Sequence, residues 1–159
     1  MRALVLGVGN PLMSDDGVGL RVLEELSAQQ PALEDVDYLD AGTLSLLLLP
    51  RFEDCDALLV LDAAQLGGPP GALRVLHDAD MDAFFRSARG SVHEVGIRDL
   101  LDAARLTGTL PHRRAFVGVQ PQRVAIGSDL SQPVQSSIAP AAAHARAILE
   151  AWQSDARGD

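Results

Sequence analysis

Apolar residues along this chain occur in two patterns: short continuous runs, and longer stretches in which they return every three or four positions. The runs are typical of strands buried in a parallel sheet, and the longer stretches predict amphipathic helices. The predicted strands are residues 3–6, 36–42, 57–64, 72–78 and 115–121. The predicted helices are a segment from residue 19 that stops before Pro31, and residues 44–52, 80–87, 91–108 and 130–152.

Residues at the helix boundaries support these limits. Thr43 is suited to cap the leucine-rich helix that follows it, and Gly108 ends the helix that begins at Ser91. In the last helix Pro133 stands near the start, where proline is tolerated, and Pro140 predicts a kink.

Strands that alternate with helices predict a three-layer α/β/α sandwich, and no linker or repeat divides residues 1–159 into more than one domain. The turn-rich segment 66–71 is too short for a helical crossover, so the fourth strand is expected to run antiparallel to the third. The predicted architecture is therefore a mixed, mostly parallel five-stranded sheet. In such sheets, binding sites form beyond the carboxyl ends of the strands.

Composition excludes several classes of protein. The net charge of −9 and the pI of about 4.7 argue against a nucleic-acid partner, because binding to phosphates needs clustered lysine and arginine. The single cysteine, Cys55, excludes a disulfide framework. The N-terminal apolar run is too short for a signal peptide, and no run is long enough for a membrane span. A cytoplasmic protein without membrane attachment is expected.

The segment GVGNPLMSDDGVG, residues 7–19, resembles a dinucleotide-binding loop but lacks its chemistry. Leu12 stands where the third glycine is needed, and two carboxylates occupy the place of the pyrophosphate. An anion there would meet like charge. Asp15 or Asp16 could instead simply cap the helix that follows.

Two carboxylates and one histidine are the candidate site residues. Asp16 follows the first strand and Asp62 ends the third, so parallel neighbouring strands would bring them to one edge of the sheet. His93 falls in the first turn of a helix with a Ser91–Glu94 capping box, where the helix dipole favours the neutral, metal-binding imidazole. Together they would form an oxygen, oxygen, nitrogen metal site with open positions. The alternatives are a hydrogen-bonded aspartate at a strand end and a surface histidine.

Other catalytic arrangements are excluded. The segment HEVGI begins like a zinc-protease HExxH motif, but Ile97 replaces the second histidine. No GxSxG segment is present. Cys55 lies between Asp54 and Asp56, which would raise the pKa of its thiol and make it a poor nucleophile.

These residues resemble the nickel–iron hydrogenase maturation endopeptidases. The matching segments are VLGVGNPLMSDDGVG, DAGT, LLVLDAA, SVHEVGIRDLL, GVQP and LSQPV, in that order and over nearly the whole chain. In DAGT, Ala41 stands where many members have a second glycine.

The resemblance implies a fold, an activity and a set of site residues. The fold is an α/β/α sandwich of the phosphorylase/hydrolase-like type. The activity is removal of a C-terminal extension from a nickel–iron hydrogenase large-subunit precursor after nickel insertion. Asp16, Asp62 and His93 would be the metal-contacting and catalytic residues. Nickel would arrive with the precursor, no organic cofactor is expected, and the enzyme is expected to act as a monomer.

Two other functions remain open on the residues alone. One is a nucleotide-binding α/β module with a degenerate glycine loop. The other is a general metallopeptidase of the same fold, which would cleave short peptides with added metal.

Overall fold

The computed structural model describes residues 1–42, 46–87 and 92–158, which form one α/β domain. The strands are β1 (Ala3–Val8), β2 (Val36–Gly42), β3 (Ala57–Ala63), β4 (Leu73–His77) and β5 (Arg113–Val119). The α-helices are α1 (Val18–Ala28), α2 (Asp78–Ser87), α3 (Val92–Thr107) and α4 (Gln132–Gly158). Two 3-10 segments, Ser14–Gly17 and Leu46–Phe52, complete the regular structure.

The described strands form one five-stranded sheet in the order β2-β1-β3-β5-β4. β1 pairs in parallel with β2 and β3, and β3 pairs in parallel with β5. β4 runs antiparallel to the rest, as expected, but its hydrogen-bonded neighbour is β5. β3 already has a parallel partner on each side, so β4 cannot pair with it and lies at the edge of the sheet beside β5.

The layers follow from the alternation of side chains along the buried strands. Val5 and Leu59 belong to the core on the α1 and α4 side, whereas Leu4 and Leu58 belong to the core on the α2 and α3 side. All four side chains are at most 2% exposed. The central strands are therefore apolar on both faces, which is why the sequence shows continuous apolar runs rather than alternation.

Helix α1 approaches the sheet closely because Gly19 has no side chain. A Cβ atom built at Gly19 would overlap with the carbonyl oxygens of Val8 and Leu61, which belong to β1 and β3. This contact seats the start of α1 over the carboxyl ends of the two strands. The turn before α1 is thereby fixed at the same edge of the sheet.

The structure changes some predicted boundaries. α4 extends to Gly158 and includes Pro140 within its length, and α2 begins at Asp78. The predicted caps at Thr43 and Ser91 lie outside the described residues. In the described part of the chain, no helix combines the length and apolar character that crossing a membrane requires.

Candidate functional site

The three predicted site residues meet at the carboxyl edge of the sheet. Asp62 lies near the end of β3, Asp16 lies in the 3-10 turn between β1 and α1, and His93 is the second residue of α3. The His93 imidazole stands between the carboxylates, with Nε2 3.4 Å from Oδ2 of Asp16 and Nδ1 3.5 Å from Oδ1 of Asp62. In the sequence, the three side chains are at least 31 positions apart. The parallel pairing of β1 with β3 nevertheless brings Asp16 and Asp62 to the same edge of the sheet.

Asp62 is buried without the partners that a structural aspartate would have. The residue is 1% exposed. Among the described residues, neither Asp62 carboxylate oxygen nor Nδ1 of His93 has a hydrogen-bond partner. The 3.5 Å contact between them is too long for a good hydrogen bond. Within the described part of the chain, Asp62 therefore lacks the short hydrogen bonds of a typical structural aspartate, and its oxygens could contact a cation.

The protonation of Asp62 and His93 is coupled. Burial raises the pKa of the Asp62 carboxyl to about 7, although the nearby imidazole acts in the opposite direction. The Asp62 carboxylate raises the pKa of His93 against the effect of burial, and Asp16 adds to this rise. The neighbouring carboxylates therefore act against the neutral imidazole that the start of α3 was expected to favour. His93 is also only 9% exposed, which contradicts the surface-histidine alternative.

Asp16 is placed by the loop in front of it. Its Oδ2 accepts a hydrogen bond of 2.9 Å from the backbone N–H of Asn10, and its side chain is 14% exposed. The N-cap of α1 is Gly17, and no side chain caps that helix. The capping alternative for Asp15 or Asp16 is therefore wrong. Asp16 is the more accessible carboxylate of the site, with Asp62 behind it.

The arrangement is close to a metal site but is not yet one. The part of the chain that the structure describes contains no three carboxylate, imidazole or thiolate groups already arranged around one point. Each nitrogen of His93 faces a different carboxylate, so one ion held by all three side chains requires the ring or a carboxylate to turn. The donor types, two carboxylates and an imidazole, suit nickel, zinc, copper or iron.

A buried polar network beside the site was not predicted. Gln120, directly after β5, accepts from the N–H of Leu66 at 2.6 Å and donates to Oε1 of Gln65 at 2.9 Å. Glu94, only 2% exposed, accepts from the N–H of Gln65 at 3.4 Å. The network shapes the loop after Asp62. The signal in the sequence is a polar residue directly after a buried strand, as in the segment GVQP.

The structure agrees that Cys55 is a poor nucleophile. Burial raises the pKa of the Cys55 thiol to about 11, and Asp56 and Asp54 add to the rise. Cys55 also lies just before β3 begins, at the sheet edge opposite Asp62.

Comparison with known proteins agrees with this arrangement. The family model HycI, hydrogenase maturation protease, matches residues 20–148. The hydrogenase expression/formation protein HupD of Rhodobacter capsulatus is 38% identical over 152 residues, which are 95% of this chain and 72% of that protein. The hydrogenase 2 maturation protease of Escherichia coli is 35% identical over 150 residues, covering 94% of this chain and 91% of that protein.

A solved structure shares the fold. The hydrogenase maturating endopeptidase HybD from E. coli superposes with a TM-score of 0.88 at 35% identity, covering 94% of this chain and 93% of that one. The fold, the family match and the relatives are consistent along nearly the full length. The chain belongs to the hydrogenase maturation proteases, a family of peptide hydrolases.

Proposed function

We propose that this protein removes the C-terminal extension of a nickel–iron hydrogenase large-subunit precursor, and does so by binding the nickel that the precursor already contains. Asp16, Asp62 and His93 are the proposed metal-contacting and catalytic residues. The observation that supports this most directly is the buried Asp62 carboxylate, whose oxygens have no hydrogen-bond partner among the described residues. A cation brought by the substrate would satisfy them.

Delivery of the metal by the substrate explains why the site need not be preformed. A nickel ion held partly by the precursor needs only some of its ligands from the protease, and His93 can turn toward it. One such contact worth about 3 kcal/mol favours the loaded precursor over the empty one by more than a hundredfold. The protease would therefore act only after nickel insertion.

The chemistry of cleavage has two forms that this site supports. In one, the metal polarises the scissile carbonyl or a water molecule. In the other, a carboxylate takes a proton from the attacking water and passes it to the leaving amine, while the nickel positions the tail. Burial raises the pKa of Asp62 to about 7, which suits a proton acceptor near neutral pH.

Exposed apolar side chains near the site suit a protein substrate. Leu12 is 68% exposed, Val124 53% and Ile126 92%. The loops that contain them are joined by a hydrogen bond from the N–H of Gly127 to the carbonyl oxygen of Leu12, in the same loop as Asp16. Exposed apolar groups beside a polar centre are typical of a protein-binding surface.

The proposal is tested by mass analysis of a nickel-loaded large-subunit precursor, incubated with the protein. The intact protein is expected to release the C-terminal extension from the loaded precursor and not from the nickel-free one. His93→Ala is expected to slow release at least about a hundredfold, as expected for loss of a metal contact. His144→Ala, an exposed histidine on α4, is the matched control and is expected to cleave at the normal rate.

Two results would reject parts of the proposal. Equal cleavage of nickel-free precursor would remove the role of the metal. Hydrolysis of short peptides with added metal would favour the general metallopeptidase instead. The third candidate, a nucleotide-binding module, is not favoured by the family match. We further propose that the protein works as a monomer and in the cytoplasm, where the hydrogenase precursor would be assembled.

A further inference from the structure

The turn that contains Asp16 also contains Asp15, whose side chain contacts a different part of the chain. Asp15 is 0% exposed, and its carboxylate accepts from the N–H groups of Gln122 and Arg123, both at 2.9 Å. It also accepts from the N–H and the Oγ of Ser131, both at 2.7 Å. Together these bonds hold the pKa of Asp15 below its ordinary value, even though burial acts to raise it. The buried Asp15 carboxylate is therefore held by four hydrogen bonds from the segment 122–131.

The backbone of the turn is tied to the same segment. Ser14 donates from its N–H to the carbonyl oxygen of Gly127 and from its Oγ to that of Asp129, both at 2.7 Å. The N–H of Asp15 donates to the carbonyl oxygen of Arg123 at 3.1 Å. Ser14 has a φ of 54°, a left-handed conformation that is unfavourable for serine. The bonds to segment 122–131 offset that cost, and without them the turn would relax.

On its other side the turn packs against the loop after β1. A Cβ atom built at Gly9 would overlap with the carbonyl oxygen of Asp16, and one at Gly17 would lie 2.9 Å from Cα of Pro11. The N–H of Asn10 donates to the Asp16 carboxylate. The turn thus lies between this loop and the segment that Asp15 binds, with the Asp16 carboxylate 3.4 Å from the His93 imidazole.

We propose that Asp15 is a positioning residue, which holds the turn against segment 122–131 so that the Asp16 carboxylate faces His93. Its effect on metal binding rests on the proposed function, but its effect on the geometry of Asp16 does not. A metal ligand must be held close to its working position, and the groups that orient ligands commonly change metal affinity by about 10- to 100-fold when removed. Asp15 itself touches neither substrate nor metal.

The test compares Asp15→Asn with Asp82→Asn. Asparagine keeps the size of Asp15 but turns a donating NH₂ group toward donors. Asp82 is a matched control, because it is also a buried carboxylate, 8% exposed, but it binds Arg105 and Arg114 at the opposite edge of the sheet. Both variants are expected to be less stable than the parent protein, so loss of stability alone does not decide the question.

Two measurements do decide it. Hydrogen exchange of the Asn10 amide, followed by NMR, reports whether the Asp16 carboxylate still accepts that bond. Titration with Ni²⁺ alone reports metal affinity. For folded Asp15→Asn we expect exchange about tenfold faster and Ni²⁺ affinity about 10- to 100-fold weaker, with both unchanged in Asp82→Asn.

A second pair of variants covers the case in which Asp15→Asn does not fold. Ser131→Ala removes one of the bonds to Asp15 and is expected to speed Asn10 exchange by a smaller factor, whereas Ser131→Thr keeps the hydroxyl and is expected to restore protection. Unchanged Asn10 exchange in folded Asp15→Asn, or in Ser131→Ala, would overturn the positioning role. Failure of the parent protein to bind Ni²⁺ and to process precursor would overturn the proposed function instead, while Asn10 exchange would still decide the role of Asp15.

Discussion

At the scale of single residues, the buried Asp62 carboxylate weakens the folded state whenever it is ionised. Its pKa is raised from 3.8 to about 7. Between these two pH values the carboxyl is protonated in the native protein and ionised in the unfolded chain. Stability from this residue is therefore fully present below about pH 4 and is lost as pH rises through about 7.

We accordingly expect Asp62→Asn to be more stable than the parent protein at pH 8 while losing processing activity. The difference in urea midpoint should shrink as pH falls toward 4, where Asp62 is already neutral. Urea denaturation between pH 4 and pH 8 measures this, with the exposed Asp99→Asn as a control that should follow the parent protein. A variant that is less stable than the parent protein at pH 8 would show that the carboxylate is paired in the native state.

The residues of the site differ in how far the sequence predicts them. Asp16 and Asp62 follow apolar strands, and parallel strands deliver their ends to one edge, so their proximity could be inferred from pattern alone. The direction of the pKa shift of His93 could not, because it depends on two carboxylates that are distant in sequence. The hydrogen bonds of Asp15 could not be predicted either, since its partner Ser131 lies 116 positions away.

At the scale of elements, the contact of α1 with β1 and β3 depends on Gly19. We expect Gly19→Ala to destabilise the protein by about 2–3 kcal/mol, since added bulk in a well-packed contact outweighs the better helix propensity of alanine. The new Cβ would press on the carbonyl oxygens of Val8 and Leu61. Urea denaturation measures the loss.

Glu25→Ala, on the exposed face of the same helix, is the control and is expected to change stability by less than about 0.5 kcal/mol. Equal stability of Gly19→Ala and the parent protein would mean that α1 can move away from the sheet without cost.

The positions of the strands were easier to predict than the order in which they pair. The continuous apolar runs identify β1 and β3 because both faces of these strands are covered. The direction of β4 followed from its short connection, but its pairing with β5 did not, because the length of a connection does not show which strand lies alongside. Periodicity also placed the end of α4 too early, at residue 152, since its last turns are mostly polar.

At the scale of the whole molecule, the exposed apolar side chains give the proposed function a second test. If the precursor lies across the loops beside Asp16, Ile126→Ser should raise KM for the nickel-loaded precursor several-fold with little change in kcat. Leu106→Ser is the matched control, because Leu106 is 90% exposed but lies near the far end of α3. Steady-state kinetics of precursor cleavage measure both, and an equal KM for the two variants would place the substrate elsewhere.

If Asp15 positions Asp16 as proposed, its bonds to segment 122–131 also make the site depend on residues that are synthesised late. A ribosome adds residues in order, so Asp16, Asp62 and His93 have all been synthesised before Ser131, which donates two hydrogen bonds to Asp15. A nascent chain that stops short of Ser131 has the three proposed site residues but lacks two of the hydrogen bonds to Asp15. The proposed site would therefore be complete only in a chain that extends past Ser131.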